Sequence, residues 1–256
     1  MIPRLRSWLN RVTAGPVHRG IFVEWVVNAI FLLFCWTSVL QAYVIPSGSM
    51  ENTLLIGDHL IVDRLTYAPS DGITRHLLPY HDVRRGDVII LRSPVENLTL
   101  VKRAIGVPGD HLRLLHKKLI LNGKPTDEPY AQHIDGNMDP YRDDFPSAPP
   151  PGLHPRAMEM LQSNVVNGEL IVPPGFVFAM GDNRENSNDS RYIGLIPREN
   201  IEGTPVVIYW SFDAPTEDLL DPNIGFDHVV DIVAHFFTKT RWRRSFQLVR
   251  RYPLGS

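Results

Sequence analysis

An apolar run near the N-terminus constrains this chain more than any other feature. From Phe22 to Val44 it reads FVEWVVNAIFLLFCWTSVLQAYV, with Glu24 its only charge. A helix from Glu24 to Val44 would be roughly 30 Å long, the thickness of a bilayer's hydrocarbon core. Trp25, Trp36 and Tyr43 suit the interfacial belts. Arg4, Arg6, Arg11 and Arg19 precede the run, with no acidic residue before Glu24. That bias holds the N-terminus in the cytoplasm and sends the rest of the chain outside. The run is too long for the apolar region of a cleaved signal peptide, and no clear small-x-small cleavage site follows it. The pattern predicts a basic cytoplasmic segment over 1–21 and a single-pass, uncleaved signal anchor over 22–44. Glu24, Asn28 and Cys35 can share one helical face, with Glu24 at headgroup level.

The 256 residues leave room for one sizeable domain beyond that anchor. The net charge of -2 supplies no basic field for nucleic acid. The single cysteine, Cys35, lies in the apolar run, so no intrachain disulfide or cysteine-rich metal site is available.

After the anchor come short apolar segments bounded by turn residues, among them HLIVDRL, GDVIILRSP, NLTLVKRAIGVPGD, GELIVPPGFVFAMGD and EGTPVVIYWSF. Their alternation and their Val and Ile content predict strands, and the lack of long helical patterns between them favours a mainly β, antiparallel domain over 45–215. LILNGKP carries an Asn-Gly hairpin signal. Residues 125–168, rich in proline and aspartate, read as an insertion of loops. The tail, 216–256, is basic and aromatic. Lys239, Arg241, Arg243, Arg244, Arg250 and Arg251 stand with Trp242 and Phe246. Such a segment either rests on anionic lipid or forms a solvated helix with a few anchors.

Three stretches could carry chemistry. The first is VIPSGSMENTL, where Ser47 and Ser49 flank Gly48 just beyond the apolar run. A serine needs a base to become a nucleophile. None of the ten histidines lies in a triad or zinc motif, and there is no Gly-x-Ser-x-Gly elbow. The second stretch, LVKRAIGVPGD, offers a lysine. Lys102 and Arg103 are neighbours in a strand, so one of them should face inward. A lysine acts as base only if burial lowers its pKa from about 10.4 to near 7–8, and arginine cannot replace it. The third is FVFAMGDNRENSNDSRYIGLIP, a dense polar turn between two apolar segments. Its Gly181, Asp182, Asn183, Ser187, Asp189 and Arg191 suggest a hydrogen-bonded network.

Taken together and in this order, PSGSMENTL, GDVIIL, VKRAIGVPGD and GDNRENSNDSRYIG resemble the motifs of bacterial type I signal peptidases, the membrane-bound leader peptidases. The resemblance covers most of residues 22–210 and fades across the insertion and the tail. It implies a serine endopeptidase that removes signal peptides from exported preproteins after Ala-x-Ala sites. Ser49 would be the nucleophile and Lys102 the general base. The Ser49 N–H and the Ser47 hydroxyl would form the oxyanion hole. Ser187 would hydrogen-bond the Lys102 amine, and Asp189 and Arg191 would pair to hold the loop that Gly181 and Asp182 shape. Ile45, Pro46, Met50, Leu54 and Val101 would line the substrate pockets. No metal, nucleotide or other cofactor is needed. The partners would be preproteins and membrane lipid but not nucleic acid, and the protein would be a monomer. Its place would be the bacterial cytoplasmic membrane, with the catalytic domain outside. Asn52 stands where the family usually has proline and Leu100 where some members have tyrosine, so a looser turn and an altered pocket are expected. Two other readings stay open: a specialised Ser/Lys processing peptidase of a pilin or conjugation pathway, and a membrane-tethered β-domain without catalysis.

Overall fold

The computed structural model describes residues 21–38, 40–67, 80–216, 219 and 226–254. The basic segment before Gly20 therefore lies outside the described residues. The chain divides into two units, one up to Val39 and one from Leu40 to Ser256. The first contains a single helix, α1 (Ile21–Ser38). The second begins with strands β1 (Leu40–Val44), β2 (Asp58–Asp63), β3 (Val88–Arg92) and β4 (Thr99–Gly106). It continues with β5 (His111–Leu115), β6 (Lys118–Leu121), β7 (Lys124–Pro125), α2 (Pro140–Asp143) and α3 (Pro155–Asn164). Then come β8 (Val165–Val166), β9 (Glu169–Ile171), β10 (Phe176–Met180), α4 (Ser190–Ile193), β11 (Ile196–Pro197), β12 (Ile201–Ser211), α5 (Phe226–Lys239) and β13 (Gln247–Leu248).

The expected helix from Glu24 to Val44 ends early. It stops at Ser38, and Leu40–Val44 instead pairs along its whole length with β2, Leu40 opposite Asp63 and Val44 opposite His59. The ladder pairs these backbone groups, including carbonyls that a helix end would leave open, with the neighbouring strand. Among the described residues, no helix is long and apolar enough to cross a membrane. The α1 helix nonetheless exposes Ile21, Phe22, Trp25, Ile30, Leu32 and Leu33.

The second unit is mainly antiparallel β, as the strand pattern predicts. One sheet runs β1-β2-β12-β3-β4-β10-β11, with β13 also on β12, and the other runs β7-β6-β5-β9-β8. The alternation in β3 explains how one strand serves two cores. Val88 and Ile90 join Ile45, Met50, Leu54, Leu60, Val62 and Ile208 on one face. Ile89 and Leu91 join Ala104, Val177, Ala179 and Ile193 on the other. With both faces covered, a strand reads as a continuous apolar run, as VIIL does here. The Asn-Gly signal is realised where β6 turns into β7, with Asn122 and Gly123 both at positive φ.

The insertion over 125–168 is largely irregular, as expected, but it also carries α2 and α3 and packs into the core. Its Tyr130, Tyr141, Phe145, Ala157 and Met160 complete the core over the five-stranded sheet, with Leu112, Leu119, Leu121 and Leu170. Two of its prolines, Pro140 and Pro155, start helices. Pro140 follows the cap Asp139, whose carboxylate accepts the N–H groups of Tyr141 and Arg142, and Pro155 follows the cap His154. The tail is likewise built into the sheet. β13 pairs with β12 at Val207 and Ile208, and Phe236 of α5 lies 6.0 Å from Trp210, ring centre to ring centre.

Candidate active site

Ser49 sits in a single 3-10 turn, Gly48–Met50, directly after β1. The turn is fixed from both ends. The Ile45 N–H donates to the Asp58 carbonyl at 2.9 Å, and the Thr53 and Leu54 N–H groups donate to the Met50 carbonyl at 3.1 and 2.8 Å. Met50 is buried while Ser49 keeps partial exposure, so packing of one residue aims the hydroxyl of the other.

Lys102 comes from the middle of β4, opposite Ile89 of β3. Its Nζ donates to Ser49 Oγ at 2.8 Å. Only 3 % of its surface is exposed. Burial lowers its pKa to about 8. The Asp189 carboxylate opposes that fall, and the Arg191 guanidinium adds to it. A lysine with this pKa is partly neutral near pH 7, and a neutral amine can take the hydroxyl proton of Ser49. Strand alternation predicts that one of Lys102 and Arg103 faces inward, yet both are buried. β4 is covered on both sides, so each cation had to be solved separately: one by proton loss, the other by pairing. Arg103 has no exposed surface. It donates from Nε and Nη2 to Asp182 at 2.8 and 2.7 Å and from Nη1 to the Gly86 carbonyl at 2.7 Å, and it lies 4.0 Å over the Tyr130 ring.

The polar turn after β10 wraps the nucleophile. The Asn183 N–H donates to the Ser49 carbonyl at 3.1 Å, and its Nδ2 donates to the Gly48 carbonyl and to Glu51 Oε2, both at 3.2 Å. Gly181 is required by space. A Cβ there would lie 2.3 Å from Ser187 Oγ and 2.4 Å from the Ser49 carbonyl oxygen. Arg191 grips Asp189 with Nε and Nη2 at 2.9 and 2.8 Å, and the Gly181 N–H donates to Asp189 at 3.1 Å. Burial pushes the Asp189 carboxyl up, but Arg191 and the other donors outweigh it, so its pKa lies below the usual range. The carboxylate therefore stays charged behind Lys102.

Other expected site residues stand differently. Ser187 is buried beside Gly181, but its hydroxyl makes no hydrogen bond, to Lys102 or to any other described residue. Ile45, Met50 and Leu54 belong to the core, and Leu54 has no exposed surface. Of the five expected pocket residues, Pro46 and Val101 keep partial exposure. Leu100 packs toward Ile89 and Leu91, while its neighbour Val101 packs toward Ile45 and Met50, so Leu100 does not share that face. Asn52 does not loosen the turn. Its φ of 83° is left-handed, a conformation asparagine tolerates, and its Nδ2 donates to the Tyr130 carbonyl at 3.1 Å. The sequence suggests Asn183 as part of a hydrogen-bonded polar turn, without a partner outside it. Its hold on Ser49 spans more than 130 residues, and no local pattern signals it. Among the described residues, no group of three or more His, Cys, Asp or Glu side chains is placed to hold a metal ion.

The model of the family described as signal peptidase, peptidase S26, matches residues 19–210. Signal peptidase I of Pseudomonas fluorescens is 32% identical over 204 residues, 73% of this chain and 70% of its own length. That of Aquifex aeolicus is 31% identical over 232 residues, 77% and 86% of the two chains. That of Bacillus caldolyticus is 33% identical over 201 residues, 78% and 96%. A solved signal peptidase I from Enterococcus faecalis V583 aligns at 30% identity over 48% of this chain and 97% of its own, with a TM-score of 0.37. The chain belongs to the signal peptidases of family S26, and is accordingly a serine endopeptidase.

Proposed function

We propose that this signal peptidase cleaves exported preproteins after Ala-x-Ala sites with Ser49 as nucleophile and Lys102 as general base. The observation that carries this reading is the 2.8 Å contact between Lys102 Nζ and Ser49 Oγ, with burial drawing the lysine to about pH 8. The neutral amine takes the Ser49 proton as Oγ attacks the scissile carbonyl carbon. The oxyanion that forms is met by the Ser49 N–H and the Ser47 hydroxyl. Ser47 makes no capping bond to its own turn, which leaves its hydroxyl for this task. Collapse of the tetrahedral intermediate breaks the C–N bond, and Lys102 returns the proton to the departing amine. Water, deprotonated by the same amine, then attacks the acyl carbon; the C–Oγ bond breaks and Lys102 returns the proton to Ser49 Oγ. Asp189 and Arg191 hold the loop behind the lysine, and Gly181 and Asp182 shape it.

Anchoring in the bacterial cytoplasmic membrane forms part of the proposal. The exposed apolar side chains of α1 and the arginines before it support it. So do Phe237, Trp242, Phe246 and Leu248, all exposed on the C-terminal segment beside the exposed Arg243. In this reading they rest on lipid, and the enzyme meets its substrates as a monomer at the bilayer surface.

The test is cleavage of a purified preprotein with an Ala-x-Ala site, in lipid or detergent, by wild type and Ser49→Ala, with products sized by mass spectrometry. Cleavage after the second alanine, abolished by the substitution, is the expected result. Cleavage that survives Ser49→Ala would remove Ser49 as nucleophile. A folded wild type that leaves this substrate intact would favour a specialised processing peptidase.

A further inference from the structure

The C-terminal segment does more than reach toward a surface. Two of its arginines turn inward onto the stretch that follows Ser49. Arg244 Nη2 donates to the Thr53 carbonyl at 3.0 Å and to Asp58 Oδ2 at 2.5 Å, and its Nε donates to Oδ1 at 3.3 Å. Arg241 Nη1 donates to the Ile56 carbonyl at 2.8 Å and to the Ser211 hydroxyl at 3.2 Å. Asp58, at the start of β2, has no exposed surface. Besides Arg244 it accepts the Leu55 N–H at 2.9 Å and the Ser211 hydroxyl at 2.6 Å.

Thr53 joins this cluster to the catalytic one. Its carbonyl is held by Arg244, and its hydroxyl donates to Asp182 Oδ2 at 2.5 Å, the carboxylate that pairs with Arg103 beside Lys102. Its N–H closes on the Met50 carbonyl. The nucleophile turn is thus gripped on one side by Asn183 and on the other by Arg244, 186 positions further along the chain than Asp58. The segment that carries these arginines is itself anchored. Trp210 Nε1 donates to Thr240 Oγ1 at 3.1 Å, and β13 joins β12.

We infer that Arg244, with Arg241 and Asp58, is a positioning residue for the nucleophile: the C-terminal segment completes the catalytic unit by fixing the turn that aims Ser49 at Lys102. Neither arginine touches the reacting atoms. Their effect passes through the carbonyls of Thr53 and Ile56, which no surface-seated tail would need to bind. An arginine is suited to this, because its planar fork can serve a carboxylate and a carbonyl at once, which a lysine ammonium cannot do with the same geometry. The inference rests on the dyad reading, since it concerns the aim of Ser49.

The experiment compares full-length wild type, Arg244→Met, Arg244→Lys and Ser49→Ala on one Ala-x-Ala preprotein, with kcat and KM resolved and the folded fraction of each checked by circular dichroism. A misaimed nucleophile costs transition-state stabilisation, not substrate binding. Arg244→Met is expected to lower kcat by about 10- to 100-fold, the range reached by a misplacement of about 1 Å, with KM within about twofold. Arg244→Lys, which keeps the charge beside Asp58, is expected to stay fully folded and still lose several-fold in kcat. Folded variants with wild-type kcat would overturn the inference while leaving the dyad intact. Should Arg244→Met fail to fold, the lysine variant decides alone: a reduced kcat supports positioning, and an unchanged kcat leaves the arginine a merely structural role. Absent cleavage by wild type would refute the functional reading instead, and equal cleavage by Ser49→Ala would refute the nucleophile.

Discussion

Replacing Lys102 by methionine should change how the protein's stability depends on pH, and by a calculable amount. Burial lowers the lysine from 10.5 to about 8 in the folded state, while the unfolded chain keeps the ordinary value. Below pH 8 both states hold the proton, and the folded one bears the cost of a desolvated cation. Between pH 8 and 10.5 the folded state has released a proton that the unfolded state still binds, so stability rises with pH across that window. Above 10.5 both states are neutral and the penalty is gone. The interval from 10.5 to about 8, at roughly 1.36 kcal/mol per pH unit, makes it about 3 kcal/mol. Methionine is of similar length and does not titrate. The variant should therefore match or exceed wild type at pH 7, and that advantage should shrink by about 3 kcal/mol by pH 10.5. Urea unfolding of both proteins in the same detergent, at half-unit pH steps from 7 to 10.5, measures the difference. Other groups titrating in this range cancel in the comparison. Parallel curves would mean that Lys102 has an ordinary pKa, and the basis for its role as general base would fall.

Further outcomes follow from the same contacts. Ser47→Ala should fold normally and lose about 10²- to 10³-fold in kcat, the usual worth of one oxyanion donor, and a wild-type kcat would exclude Ser47 from that task. Asp182→Asn leaves the fully buried Arg103 without its counter-charge and should cost about 3–5 kcal/mol in urea unfolding; a loss under about 1 kcal/mol would show that the Gly86 carbonyl and Tyr130 suffice. Asn52→Pro asks a ring fixed near -65° to adopt a φ of 83°, so it should destabilise by more than about 1 kcal/mol, and an unchanged midpoint would mean that the turn can take another path.

The parts that the sequence reveals are those whose signal is local. The strand pattern, the Asn-Gly hairpin and the two serines around Gly48 sit within a few residues of their effect. Lys102 is legible as a possible base, but its burial is not, because it depends on β3 and on the polar turn after β10. The contacts that finish the site are non-local. Arg103 meets Asp182 across 79 positions, Asn183 meets Gly48 across 135, and Arg244 meets Asp58 across 186. Composition hides two helices within the loop-rich 125–168, where Pro140 and Pro155 occupy first-turn positions that need no backbone donor. It misleads at Leu40–Val44, where apolar residues that could extend a helix gain more by pairing with β2. In the tail, the arginine count alone cannot separate Arg241 and Arg244, which turn inward, from the exposed Arg243.

The pH dependence of kcat/KM is the measurement closest to Lys102 acting as base, because it reports the ionisation of the free enzyme's essential base. With an Ala-x-Ala preprotein and full-length enzyme, the rate should climb tenfold per pH unit on the acid side and level above about pH 8, where the Lys102 amine is neutral. A limb near pH 6.5, the ordinary histidine value, or a rate flat from pH 6 to 9 would contradict a lysine base.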